Sequence, residues 1–243
     1  MIANPPVSVF GKRCEASCST ICLLRSLGQE CGLPKDFVLN SYLNKSEPVK
    51  VDPSSMPFHA KITVGTKSCH GYFTNLHDNQ LKESEVLTTP ACVPSNTNPA
   101  TVRVNDVVAK SVQVNNITQN LVHIKLGPTS SINQEQLPCP YMPDEEVLPQ
   151  ESSCLIIEAT SNGLTAKHAE FFEDCDDSFL EGDKDAFVKT CVRDKNSSTS
   201  ADTLSSIICR ENGRWYLTHL KDRQTNGFAL YMDLGYAMHG SLL

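Results

Sequence analysis

The sequence predicts an all-β fold, and three observations carry that prediction. Short apolar runs rich in Val, Ile, Leu, Thr and aromatics recur along the chain beyond Pro57. Clusters of Gly, Asn, Pro, Asp and Ser separate them, and no long segment shows a 3.6-residue apolar period. Many short strands with turn-rich spacers are the pattern of a sandwich or a barrel.

In chain order the first five runs are "FHAKITV" (58–64), "EVLTT" (85–89), "TVRV" (101–104), "SVQV" (111–114) and "NLVHIKL" (120–126). "CLIIEA" (154–159), "FVKTCV" (187–192), "SSIIC" (205–209), "RWYLTHL" (214–220) and "FALYMDL" (228–234) follow. "IICRENGRWYL" is the sharpest local signal. Asn212-Gly213 lies between two apolar runs and can supply the positive φ angles of a tight hairpin turn, so an antiparallel hairpin is expected there. The terminal "DLGYAMHGSLL" is expected to close as a short helix, although Gly235 and Gly240 work against it.

Upstream of these runs the chain changes character. "CEASCSTICLLRSLGQECG" carries four cysteines within eighteen residues and is too short for a core of its own, so 1–30 is expected to be the tail of a preceding module. Residues 31–55 are polar and proline-punctuated, which reads as an extended connector to a main domain over 56–243.

At 243 residues the chain is long enough for one large β domain or two compact halves. Its formal charge of −7 argues against a nucleic-acid or anionic-membrane surface and leaves a small molecule or a protein as the partner. Eleven cysteines with no C-x-x-C pair fit a disulfide framework, hence an oxidising compartment, better than a zinc or redox centre. N-x-[ST] sequons at Asn44, Asn116 and Asn196 agree with a secretory route as glycosylation acceptors. No window has the roughly 18 apolar residues of a membrane-spanning helix, and the start "MIANPPVSVFGKRC" has no apolar signal core. The expectation is a fragment of a longer extracellular chain.

The order of several segments resembles the trypsin/chymotrypsin-like serine protease family over about the last 190 residues. "PFHAKITVGTKSCHGYFTN" is similar to P-W-x-V-x-L followed by C-G-G-S-L-I-N, "EVLTTPACV" to W-V-L-T-A-A-H-C, and "QNLVHIKL" to N-D-I-A-L-I-K-L. "EQLPCPY" resembles the segment whose cysteine ties back to the propeptide, which makes 31–55 propeptide-like. "SCLII" resembles the C-x-x-x-G-W-G strand, and "ADTLSSIICRENGRWYLTHL" the G-D-S-G-G-P-L-V-C…W-x-L-x-G segment. The resemblance implies two packed antiparallel six-stranded β-barrels, over about 56–135 and 145–243, with any active site in the groove between them. It also implies disulfides Cys69–Cys92, Cys31–Cys139, Cys154–Cys209 and Cys175–Cys191. Cys14, Cys18 and Cys22 remain, and their odd number requires at least one to pair outside this chain or stay reduced.

Peptide hydrolysis in that family needs a serine hydroxyl, an imidazole to take its proton and a carboxylate to orient the imidazole. The matching positions here hold Thr203, Ala91 and Asn120. A methyl group accepts no proton at any pH, and an amide does not stabilise an imidazolium as a carboxylate does. "ADTLSS" also lacks the glycines that let backbone N–H groups hold an oxyanion. The I-V-G-G activation sequence is missing, with Lys50-Val51 the nearest trypsin-like cut. "THLKDRQTNG" puts Lys221, Asp222 and Arg223 where the family presents an apolar strand to its substrate.

The resemblance therefore implies a non-catalytic homologue: no enzyme, no cofactor, no metal, and an extracellular protein partner such as a protease or a receptor. The alternative is a hydrolase with residual or altered activity, using Thr203 and a relocated base such as His70, which follows Cys69. The acidic run 170–185 lacks the D-x-[DN]-x-[DN]-G spacing of a calcium loop and reads as solvated surface.

Overall fold

A computed structural model describes residues 39–53, 56, 58–74, 85–105, 107–115, 121–126, 139–140, 153–160, 163–172, 189–193, 203–211, 213–225 and 228–234. Fifteen strands occur among them, and they fall into two sheets.

The first sheet closes on itself. Strands β2 (His59–Val64), β3 (Lys67–Thr74), β4 (Glu85–Thr88), β5 (Val102–Val104), β6 (Val107–Asn115) and β7 (Leu121–Leu126) form a barrel in the order β2-β3-β4-β7-β6-β5. Every pairing is antiparallel. Alternation sorts the side chains, because successive residues of a strand face opposite sides. In β2, Ala60 and Ile62 are fully buried while Lys61 is exposed, and in β5 Val102 and Val104 are buried around an exposed Arg103. Ile62, Phe73, Val86, Val104, Ile124 and Leu126 are among the buried residues of the core. Gly71 is forced by this packing: a Cβ there would lie 2.6 Å from Val86 Cγ1, 2.7 Å from Ile62 Cδ1 and 2.9 Å from the Leu87 carbonyl oxygen.

The second sheet has nine strands. Its six longer members are β9 (Cys154–Thr160), β10 (Gly163–His168), β12 (Lys189–Arg193), β13 (Leu204–Glu211), β14 (Arg214–Thr225) and β15 (Phe228–Asp233). Three short strands are added: β1 (Val49–Val51) on β10, β11 (Phe171–Phe172) on β12, and β8 (Cys139–Pro140) in parallel on β14. The main path runs β1-β10-β9-β13-β14-β15-β12-β11. This is the all-β, trypsin-like double-barrel architecture expected from the sequence, with the second half extended beyond six strands. The Asn212-Gly213 hairpin forms as expected: Glu211 pairs with Arg214 across a two-residue turn, and Gly213 has φ +78°.

Leu39 and Val51, from the segment that reads as a connector, and Met56, just after it, are buried in one core with the first barrel and with Leu155, Ile157, Ile208 and Trp215. A second, smaller cluster holds Cys154, Ile156, Ile207, Cys209 and Tyr231. Successive residues of β9 thus serve different cores. Of the stretch 233–243 expected to close as a short helix, Asp233 ends β15, and residues 235–243 lie outside the described residues.

Candidate functional site

The inter-barrel junction is built from β3 on one side and β9 with β13 on the other. Tyr72 of β3 is fully buried, and its hydroxyl donates to the Ile157 carbonyl of β9 at 3.0 Å. The same hydroxyl lies 3.5 Å from the Leu204 carbonyl at the start of β13. Burial pushes the Tyr72 phenol well above its ordinary range, so it remains a neutral donor at physiological pH.

Thr203, half-buried, immediately precedes Leu204, which pairs with Ala159 of β9. The position matched to the family nucleophile therefore enters the junction one residue from its central tie. Ala91 lies in the turn after β4, where the Cys92 and Val93 amides both donate to the Thr89 carbonyl. Its own carbonyl accepts from Lys67 Nζ at 2.7 Å. Thr88 pairs with Val122, so the chain leaving β4 and the chain entering β7 meet at one end of the barrel. Asn120, just before β7, lies outside the described residues, as does Asp202.

His70, the candidate for a relocated base, is one member of a histidine pair. Its Nδ1 is 2.9 Å from His59 Nε2 of β2, and its ring also hydrogen-bonds the Thr160 backbone. Burial lowers its pKa, the Thr160 bond raises it in part, and the Lys61 charge lowers it further. Burial and then the neighbouring His70 bring His59 down to about 4. Both imidazoles are neutral at pH 7. The sequence carried no signal for this pair, because His59 and His70 are eleven residues apart and meet only through the β2–β3 register.

Two further histidines sit in buried polar settings. His219 of β14 accepts from or donates to Thr218 Oγ1 at 2.8 Å and lies 3.3 Å from Thr190 Oγ1. The Asp233 carboxylate is farther away at 3.8 Å, and burial lowers the His219 pKa to about 4. In the first barrel His123 Nε2 faces Glu85 Oε2 at 3.0 Å.

Two of the expected disulfides, Cys69–Cys92 and Cys154–Cys209, are formed. Cys191 is also disulfide-bonded; its expected partner Cys175 lies outside the described residues, as do Cys14, Cys18, Cys22 and Cys31. The side chain of Cys139 is likewise not described. Of the three sequons, Asn44 is exposed in a turn, and Asn116 and Asn196 are not described. No group of three or more metal-ligating side chains occurs among the described residues, and no helix among them is long and apolar enough to cross a membrane. Strand β14 is bulged between Lys221 and Arg223, and Lys221 Nζ donates to Gln224 Oε1 at 2.8 Å.

No family model matches the chain, and no curated protein sequence matches it. Solved structures do match. One is the scabies mite inactivated protease paralogue S-D1, with a TM-score of 0.57 and 13% sequence identity over 81% of this chain and 95% of that one. The chain thus has a protease-like, trypsin-type fold at an identity that speaks to fold alone.

Proposed function

We propose that this chain is a non-catalytic serine protease homologue that acts as an extracellular protein-binding or regulatory module. The observation that carries the reading is Ala91, a methyl group in the turn after β4 at the position matched to the family's general base. The engagement of His70 with His59 and Thr160 supports it, since that ring is already committed away from a role as a substitute base. Loss of triad members lowers kcat by about 10⁴ to 10⁶. The disulfide framework and the sequons support secretion, and the inactivated character of the scabies mite relative makes a catalytically silent member of this fold a known kind of protein. The partner is a protein, in keeping with the net negative charge.

Incubation of the purified protein with an active-site-directed fluorophosphonate tests the reading. No covalent label at Thr203 is expected. Labelling there, abolished in a Thr203→Ala variant, would favour the alternative hydrolase and overturn this one.

A further inference from the structure

The His59–His70 pair has a geometry that limits what it can do. The ring centroids are 5.1 Å apart with the facing nitrogens at 2.9 Å. That is close to the largest centroid separation the nitrogen distance permits, so the two ring axes run nearly head to head. A metal needs both nitrogens aimed at a common third point; a head-to-head pair is an N–H···N hydrogen bond. The bond raising the His70 pKa is one donated to the Thr160 carbonyl, which uses the remaining ring N–H. His70 Nδ1 is then the acceptor and His59 Nε2–H the donor. A continuous chain runs from β2 through β3 to the end of β9, and Thr88 Oγ1 steadies it by donating to the His70 carbonyl at 2.6 Å.

We propose that His59 and His70 form an acid-sensitive latch, which holds β3 of the first barrel onto the Thr160 end of β9 at neutral pH and releases it in acid. Thr160 and Thr203 both adjoin the Ala159–Leu204 pair, so the latch closes the part of the junction that Thr203 enters. A proton added at His59 Nδ1 leaves the shared bond intact but puts a charge into a half-buried site. A second, at His70 Nδ1, sets two N–H groups against each other and breaks the bond.

The surroundings offer little to absorb that charge. Lys61, opposite His70 in the β2–β3 register, adds a like charge, and Tyr72, opposite His59, is held neutral. Glu158 of β9 is the carboxylate on the facing sheet, and its effect falls on Tyr72. Strand β4 contributes Thr88, and Thr203 lies just before β13; neither titrates between pH 4 and 7. The folded-state pKa values lie below the ordinary histidine value, so opening is favoured progressively as pH falls from about 6.5 towards the value of about 4 for His59.

Imidazole-¹⁵N NMR of the full chain tests the latch. At pH 7 a scalar coupling across the His59–His70 hydrogen bond is expected, neither ring titrating near pH 6.5. As the pH approaches 4 the coupling is expected to vanish and amide protection at Leu204 to fall at least tenfold more than at β5, away from the junction. Independent titration of both rings near 6.5, or no coupling at any pH, overturns the proposal. In His70→Gln the pH-dependent loss at Leu204 is expected to disappear; its persistence also overturns the proposal. Should that variant fail to fold, the wild-type titration decides alone. None of these readouts depends on whether Thr203 is catalytically silent.

Discussion

The first barrel and the second sheet both bury large apolar side chains, Tyr72 and Phe73 in one, Trp215 and Tyr231 in the other, yet they treat polar groups differently. Among the described residues the first barrel buries Glu85, Thr88 and His123. The second buries Glu158, Lys167, Ser205, Ser206, Thr218, His219 and Asp233. Closure explains the contrast. A closed six-stranded barrel has one interior that van der Waals packing fills, to the point where Gly71 has no room for a methyl group. The second sheet is longer, serves two apolar clusters, and holds its strands together through side-chain hydrogen bonds such as Ser205 Oγ to Tyr231 OH at 2.6 Å. The first half is specified mainly by shape and the second adds buried polar pairs; each carries a disulfide, Cys69–Cys92 in the first and, over the longer loop, the covalent tie Cys154–Cys209 in the second. Buried polar groups are costly when their partners are lost.

Removing that covalent tie should give the largest effect. Cys154–Cys209 closes a loop with a sequence separation of 55, worth about 4 kcal/mol in the chain-entropy model. The Cys154→Ala/Cys209→Ala double variant should lose that amount in urea unfolding at pH 7; a loss under about 1 kcal/mol would break the claim that the second half leans on its bridge.

Gly71→Ala tests the shape side. All three contacts of the new Cβ fall below 3.0 Å and one is to backbone, so overpacking should cost about 3 kcal/mol, read as a Tm lower by about 6–12 °C. A neutral outcome would mean that the barrel yields more easily than its closure suggests.

A third effect is gated by pH and belongs to the second half. The His219 pKa is depressed in the folded state to about 4. The unfolded chain therefore binds more protons between about 6.5 and 4, and stability, full above that window, falls as pH drops through it. The maximum loss is about 3 kcal/mol for a fully buried ring. His219→Gln should remove the His219 share of the slope in chemical unfolding measured from pH 7 to 4 and leave the share of His59 and His70; an unchanged slope would place the acid sensitivity elsewhere.

The smallest effect falls on the tie between the halves. Tyr72→Phe removes the hydroxyl that donates to Ile157 at 3.0 Å while keeping the ring, and should cost about 1–2 kcal/mol with little change in the urea m-value. A drop in m, with two separate transitions, would show that this one bond couples the barrels.

Much of the first level of this description was legible in the chain. Each of the ten apolar runs coincides with or overlaps a strand, because alternation in "HAKITV" or "VRV" reports directly on which face meets the core. β3 and β10 were not among the runs. "KSCHGYFT" spends its outward positions on His70 and Tyr72, which are polar-tipped because they contact the other sheet, and "GLTAKH" buries Lys167 where an exposed residue is expected. The two formed disulfides were implied by the resemblance. Neither the histidine pair nor the Tyr72 tie could be read, since both depend on strand register and on contacts between sheets.

The amino-acid order by itself fixed the chemistry available at each position: a methyl group at Ala91, an amide at Asn120, a hydroxyl at Thr203, and cysteines spaced for a double-barrel framework. Those are properties of side-chain composition and need no coordinates. The tertiary structure alone decided which groups share a proton, which hydroxyl bridges two sheets, and where a glycine is obligatory. The physical reason is range. Hydrogen bonds and steric contact act over about 3–4 Å, and only folding brings His59 to His70, Tyr72 to Ile157, or Gly71 to Val86 within that distance.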